Sequence, residues 1–260
     1  MHWPAEAIWE AVSPQWPTFS VEVLPEIDST NSELMRRARA GQFDPVLLVA
    51  QRQTAGRGRL GRSWHSDAPG ALTFSLGLPL QPREWSGLSL AVGLAVAQAL
   101  HPDLQLKWPN DVWLHGRKLA GILIETASVG EVRYAVVGVG INITLPDAQG
   151  LSTPPAALTE LLPAVDAPGA LARVAVPLIA AVRRFEADGF APLQVAFNAR
   201  AALLGQSVQC SDGVVGVARG ADAHGALLVQ TDAGIKKITS AEVSVRPRGA
   251  PTPPDSPKAL

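Results

Sequence analysis

Residues 51–64, QRQTAGRGRLGRSW, hold three arginines, Arg57, Arg59 and Arg62, within six positions and separate them with Gly58, Leu60 and Gly61. Guanidinium groups at this density suit a phosphate-bearing ligand. Each is a planar fork of donors, and free glycine backbone between them can wrap an anion. Gly56 to Gly61 satisfies G-x-G-x-x-G, but a dinucleotide site needs a helix opening at the third glycine, whose N-terminus meets the pyrophosphate. Residues 62–70 have no helical period, so that reading fails. The Walker pattern fails too, since Arg62 stands where its lysine belongs and no helix comes after it. An arginine–glycine patch for single-stranded nucleic acid and a solvated charged turn both stay open.

A second group is Lys107-Trp108-Pro109-Asn110-Asp111, followed seven residues later by Lys118-Leu119-Ala120-Gly121. Two lysines, an Asn and an Asp on adjacent strands suit an anion and a metal-bound phosphate. Asp111 could help hold Mg²⁺ or orient Lys107, and both remain open. The plain alternative is that Lys107 and Lys118 are edge-strand lysines that discourage aggregation. Gly121 in mid-strand favours close approach by a ligand or another backbone. No covalent nucleophile is indicated: the single cysteine, Cys210, reads as a core thiol, and the five histidines show no metal-ligand spacing.

The elements that must position these residues are set by periodicity and punctuation. Residues 1–20 read as an irregular lead-in with one helical turn. Val21 to Leu24 is the first strand, and a helix starts at Ser29-Thr30, where Thr30 with Glu33 fits a capping box, and ends at Gly41. Val46 to Gln51 and Leu72 to Leu78 read as buried strands. Leu88 to Leu100 is apolar on nearly every helical face, which predicts a central helix. Further strands are expected at Leu104 to Trp108, Val112 to Leu114, Lys118 to Glu125 and Arg133 to Ile143, with a turn at His115-Gly116-Arg117. Pro146 to Pro168 reads as a surface connection or interrupted helix, and Leu171 to Ala187 and Leu193 to Leu204 as helices. Beyond Gly205, turns about every ten residues predict a small all-β module.

The expectation is an α+β fold: a mixed, largely antiparallel sheet with helices, then a small β module. Its divisions are a lead-in at 1–20, a main domain at 21–204, the β module at 205–246 and a proline-rich, disordered tail at 247–260. With 260 residues, 47% hydrophobic and 17% charged, the chain can bury a full core. Its net charge of −1 gives no global attraction to nucleic acid or anionic lipid. One cysteine, no secretory signal and no apolar run of membrane-spanning length predict a cytoplasmic protein without a membrane partner.

Together these segments resemble the biotin protein ligase family. The resemblance rests on Asp28-Ser29-Thr30-Asn31, Gln53 through Trp64, Lys107 through Asp111, Arg117 through Leu123, and Gly138-Val139-Gly140-Ile141-Asn142, five motifs in order over residues 26–143. It implies a biotin/lipoate ligase-like catalytic domain with a C-terminal SH3-like barrel, and ATP, biotin and Mg²⁺ as reactants. The partner it implies is a biotin carboxyl carrier protein, a subunit of acetyl-CoA carboxylase. It implies biotin contacts from Ser29, Thr30, Asn31, Gln53, Arg57, Gly58, Arg59 and Lys118, with Gly121 at the pocket wall. ATP and adenylate contacts fall to Arg59, Arg62, Trp64, Lys107, Asn110, Asp111, Lys118 and Asn142, and the catalytic groups to Lys118, Arg57 and Arg59. Only some 20 residues precede the first strand, so a winged-helix DNA-binding domain is not expected, nor is a DNA partner; the expected state is a monomer or weak homodimer.

Biotin's carboxylate would attack the α-phosphate of ATP, and a carrier lysine would then displace AMP. Such chemistry needs positioned cations rather than a nucleophile. No carboxylate close in sequence neutralises the arginine loop before Asp67, so the loop is expected to order only around an anion. A lipoate ligase of the same superfamily and a non-catalytic RNA binder are the alternatives.

Overall fold

The computed structural model describes residues 2–64, 69–147, 153–239 and 245–247. In chain order these residues form α1 (Ala5–Val12), β1 (Ser20–Ile27), α2 (Thr30–Arg39), β2 (Val46–Gln53), β3 (Ala71–Pro79), α3 (Leu88–Leu100), β4 (Gln105–Lys107), β5 (Asp111–Leu114), β6 (Arg117–Val129), β7 (Val132–Asn142), α4 (Ala167–Asp188), α5 (Gln194–Asn198), β8 (Ser207–Cys210), β9 (Val215–Ala221), β10 (Leu227–Thr231), β11 (Gly234–Ile238) and β12 (Val245–Pro247).

Seven strands make one sheet in the order β1-β2-β3-β7-β6-β5-β4. Only β1 and β2 run parallel, since α2 crosses between them; the other neighbours are antiparallel. Strand alternation sorts the side chains. Leu47, Val49, Phe74, Val137 and Ile141 join the large core with α3 and α4, whereas Val46, Leu48 and Val136 meet Leu34 and Met35 of α2 on the other face. The remainder of that second face is where the cleft lies. The β module is a five-stranded antiparallel sheet in the order β11-β10-β9-β8-β12. A closed barrel would add a β11–β12 pairing, which is absent among the described residues.

Five expectations change. Residues 5–12 form two helical turns rather than an irregular lead-in, because Ile8 and Val12, four apart, are both buried in the core. Ser29, not Thr30, is the N-cap of α2, and its hydroxyl accepts from Ser32 N–H. Glu33 pairs instead with Arg36 and Arg37. The stretch expected as a helix from Leu193 to Leu204 holds only α5 and a preceding 3-10 turn, after which residues 200–202 run beside β4. Within the proline-rich connection, Ala156, Ala157 and Leu158 are buried rather than on the surface. Pro247 pairs with Val208 in β12, one residue past the expected module boundary, and the tail expected to be disordered lies outside the described residues from 248 onward. No helix among the described residues is long and apolar enough to cross a membrane.

If α1 is a structural part of the core, Ile8→Ala loses buried contact and leaves a cavity. Urea unfolding should then show a loss of about 2–4 kcal/mol; an unchanged midpoint would make α1 dispensable.

Candidate functional site

Cross-strand partners share a sheet face, and one row of partners builds the cleft floor. Thr73 opposes Gly140, Gly140 opposes Gly121, and Gly121 opposes Asp111. A second row runs from Ser75 through Gly138 to Leu123. A bulge between Val112 and Trp113 sets Trp113 opposite Lys118. An extra residue switches the facing of the side chains beyond it, so Lys118 comes to the same side as Asp111 and Gly121. The glycines make the space. A Cβ on Gly140 would collide with the Trp64 indole, and one on Gly138 with the Asn31 carboxamide.

The resulting cleft measures 930 Å³, and all fifteen candidate residues line it: Ser29, Thr30, Asn31, Gln53, Arg57, Gly58, Arg59, Arg62, Trp64, Lys107, Asn110, Asp111, Lys118, Gly121 and Asn142. That is the upper end of the usual ligand-pocket range, with room for two joined ligands. Its polar end gathers at the start of α2. Gln53 Oε1 accepts from Thr30 N–H at 2.8 Å and lies 3.1 Å from the Thr30 hydroxyl. The buried Ser75 hydroxyl sits 2.7 Å from Thr30 Oγ1 and 2.6 Å from Asn31 Oδ1, and Asn31 Nδ2 donates to Glu125 at 2.9 Å. Leu123 adds apolar wall on this face, while the side chains of Phe74, Ile122 and Val139 point away into the large core.

At the other end, Asp111 lies between two lysines: Lys118 Nζ is 2.8 Å from Oδ1 and Lys107 Nζ 3.7 Å from Oδ2. Burial pushes the Asp111 carboxyl up, but Lys118 and Lys107 outweigh it and hold it below the usual carboxylate value. Burial also lowers Lys107, with Asp111 opposing, and lowers Arg59, again against Asp111. Lys107 sits 5.4 Å from the Trp113 ring centroid and Lys118 5.8 Å from that of Trp64. Arg59 donates to Asn110 Oδ1 at 2.9 Å, while Asn110 Nδ2 donates to Ile122 O at 2.7 Å. Asn142 Nδ2 is committed to the backbone oxygens of Lys118 and Ala156, so it ties the proline-rich connection to β6.

Asp111 does not fit a cation ligand. Its charge is met by two lysines, and no group of three His, Cys, Asp or Glu side chains with metal-holding geometry exists among the described residues. The arginine loop has no carboxylate between residues 51 and 66, and its partner comes from a distant strand. Asp67 lies outside the described residues, but Glu125, far away in sequence, takes Arg57 at 2.8 and 3.0 Å. The loop also closes on itself through Gly58 N–H to Arg62 O and Trp64 N–H to Gly56 O. Sequence reasoning missed Ser75, Glu125, Trp113 and Arg246. The strand register of Ser75 with Gly138 and of Glu125 with Val136 is the signal for the first two. For Arg246 there is none, because it enters the cleft from β12, over 100 residues beyond the motifs.

The comparisons with known proteins bear on this geometry. The model of the biotin/lipoate A/B protein ligase family matches residues 23–142, and that of the biotin protein ligase C-terminal domain matches residues 203–246. The chain is 35% identical to a biotin–[acetyl-CoA-carboxylase] ligase of Paracoccus denitrificans, over 85% of this chain and 98% of that protein. The chain belongs to the biotin protein ligase family. It is also 35% identical to the bifunctional ligase/repressor BirA of Escherichia coli strain K12, covering 87% of this chain and 74% of the other. Among solved structures, the biotin protein ligase of Aquifex aeolicus in complex with biotin and ATP superposes with a TM-score of 0.75 at 30% identity, over 87% of this chain and 98% of that one. This ligase therefore has the family's α+β fold, with the cleft on the family-matched sheet.

Asp111→Asn would leave two lysines face to face without a counter-charge. Urea titration should show a loss of about 3 kcal/mol at pH 7. A carboxyl held low contributes stability above its ordinary pKa near 3.8 and loses it as pH falls through the lowered value. The wild-type advantage over Asp111→Asn should therefore be flat from pH 5 to 8 and shrink below pH 4. An advantage that grows on acidification would contradict this charge assignment.

Proposed function

We propose that the cleft forms biotinyl-5′-AMP and transfers its biotin to a lysine of a biotin carboxyl carrier protein. The observation that carries the reading is the division of one cleft into a hydrogen-bonding end and a cation-rich end, where Lys118 meets Asp111 and lies over Gly121. Ser29, Thr30, Asn31 and Gln53 receive the ureido ring. Gly121 leaves room for the bicycle, and Leu123 packs against its apolar face. Arg59, Arg62, Lys107, Asn110 and Asn142 serve the nucleotide. Trp64 and Trp113 support this assignment, because their buried indole N–H groups have no partner among the described residues. Buried donors are almost always satisfied, so a ligand acceptor is the natural partner.

In the first step a biotin carboxylate oxygen attacks the α-phosphorus, the bond to the β-phosphate oxygen breaks, and pyrophosphate leaves. Carboxylate and phosphate repel as they approach, and the charge then moves onto the leaving group. Lys118 lies between them and stabilises that charge, with Arg57 and Arg59 holding the closed loop over it. Asp111, already engaged by two lysines, would not hold Mg²⁺, and any charge neutralisation by that ion would have to come with the phosphates of ATP. In the second step the neutral carrier amine attacks the acyl carbon, the bond to AMP oxygen breaks, and the amine sheds a proton. A closed loop keeps water from the mixed anhydride until then.

Isotope exchange tests the reading. Labelled pyrophosphate should enter ATP with biotin and not with lipoate. Exchange with lipoate would assign the superfamily's other acid. Exchange with neither, together with saturable RNA binding, would leave only the binder. Lys118→Ala should slow exchange by about 100-fold, the equivalent of about 2–4 kcal/mol of lost charge stabilisation. Near-normal exchange in the folded variant would remove Lys118 from the chemistry.

A further inference from the structure

Lys107 and Asn110 flank the turn that joins β4 to β5, and two contacts from outside the cleft hold that turn. Ser89, in the first turn of α3, donates its hydroxyl hydrogen to the Pro109 carbonyl at 2.8 Å. The Trp108 indole is buried and does not line the cleft, and its Nε1 donates to the Gly225 carbonyl at 3.0 Å, across 117 residues of chain.

Gly225 belongs to the turn between β9 and β10, which is built to be stiff. Asp222 Oδ1 accepts from the backbone N–H groups of His224 and Ala226 at 2.9 and 3.0 Å, and Oδ2 pairs with Lys237 at 3.0 Å. Gly225 has φ +82, and a Cβ on it would come 2.7 Å from the Cα of Gly87, the residue that opens α3. The turn is therefore seated backbone to backbone on the catalytic domain. Around it, Gln194 and Asn198 donate to the Ala221 carbonyl at 2.9 and 3.0 Å. Leu106 of β4 exchanges backbone hydrogen bonds with Arg200 and Ala202, at 2.8 Å each, on the segment leading into the C-terminal sheet.

We infer that Trp108 is a positioning residue, through which the Asp222–Gly225 turn of the C-terminal sheet fixes Lys107 and Asn110 at the cation-rich end of the cleft. The inference rests on the nucleotide-side reading given above. Trp108 shares a peptide bond with Lys107 and is two residues from Asn110. A retreat of the turn would strand a buried indole donor, so the lower-energy response is for Trp108 to move with it. Lys107 would then lose its place 3.7 Å from Asp111, and Asn110 its bond to Arg59. Displacements of about 1 Å are enough to cost a binding or catalytic geometry heavily. The polar residues proposed for the ureido ring stand at the start of α2 and the end of β2 and are not reached this way.

Three variants test this: Trp108→Phe, which keeps an aromatic side chain and removes the donor; Gly225→Ala, which pushes the turn outward without touching the cleft; and Asn110→Ala. The readouts are KM for ATP in pyrophosphate exchange, calorimetric affinity for biotin alone, and the thermal midpoint. Trp108→Phe and Gly225→Ala should each raise KM for ATP by about tenfold while biotin affinity stays within about twofold. Unchanged KM for ATP in folded Trp108→Phe, or equal weakening of both ligands, overturns the inference. If Gly225→Ala does not fold, Trp108→Phe alone decides. Asn110→Ala separates the two levels: unchanged KM for ATP there overturns the nucleotide-side reading, whereas a raised KM there with normal Trp108→Phe overturns only the positioning role.

Discussion

A buried carboxylate held between two lysines is the interaction on which the rest of the cleft depends. Asp111 lies 2.8 Å from Lys118 and 3.7 Å from Lys107, and its field reaches Arg59. Cations brought together for an anionic ligand repel one another when that ligand is absent, and burial removes the water that would screen them. The fold meets this constraint with carboxylates drawn from other strands. Asp111 of β5 serves the lysines, and Glu125 of β6 serves Arg57 and also accepts from Asn31. Charge balance in the cleft is thus a tertiary property, set by carboxylates on strands other than those that carry their partner cations.

Space is the second constraint. A sheet face normally presents side chains every other residue, which would fill the cleft. Here Gly121, Gly138 and Gly140 leave a bare strip across β6 and β7, into which the Trp64 ring and the Asn31 carboxamide reach. The bulge before Trp113 then supplies Lys118 to the same face. Strip, bulge and loop closure act together: the glycines admit Trp64, and Trp64 closes beside Lys118. The C-terminal sheet adds Arg246 to the same cleft and seats its β9–β10 turn beneath Trp108.

The sequence made the long elements legible because their apolar periods are unambiguous. The bounds of α3 agree residue for residue, and the strands around it differ by a few residues at each end. It misjudged α1, whose two core contacts, Ile8 and Val12, are hidden among Trp and Pro. It also misjudged residues 199–204, where pairing with β4 overrides helical pattern. All fifteen candidate site residues converge because their motifs are short and lie on adjacent strands. Ser75, Glu125 and Arg246 escaped because their relevance comes only from register and docking, which no local spacing encodes. The pairing of the arginine loop with Glu125 escaped for the same reason, since Glu125 stands 68 residues from Arg57.

One covalent event proposed for this cleft is central, the joining of biotin to AMP. Enzyme in excess over biotin carrying a carbon label and ATP carrying an α-phosphorus label, quenched before any carrier protein is added, tests it directly. Both labels should leave the quenched protein in a single small molecule, at about one equivalent per chain. Labels that never appear in the same molecule, in protein shown to be folded, would contradict it.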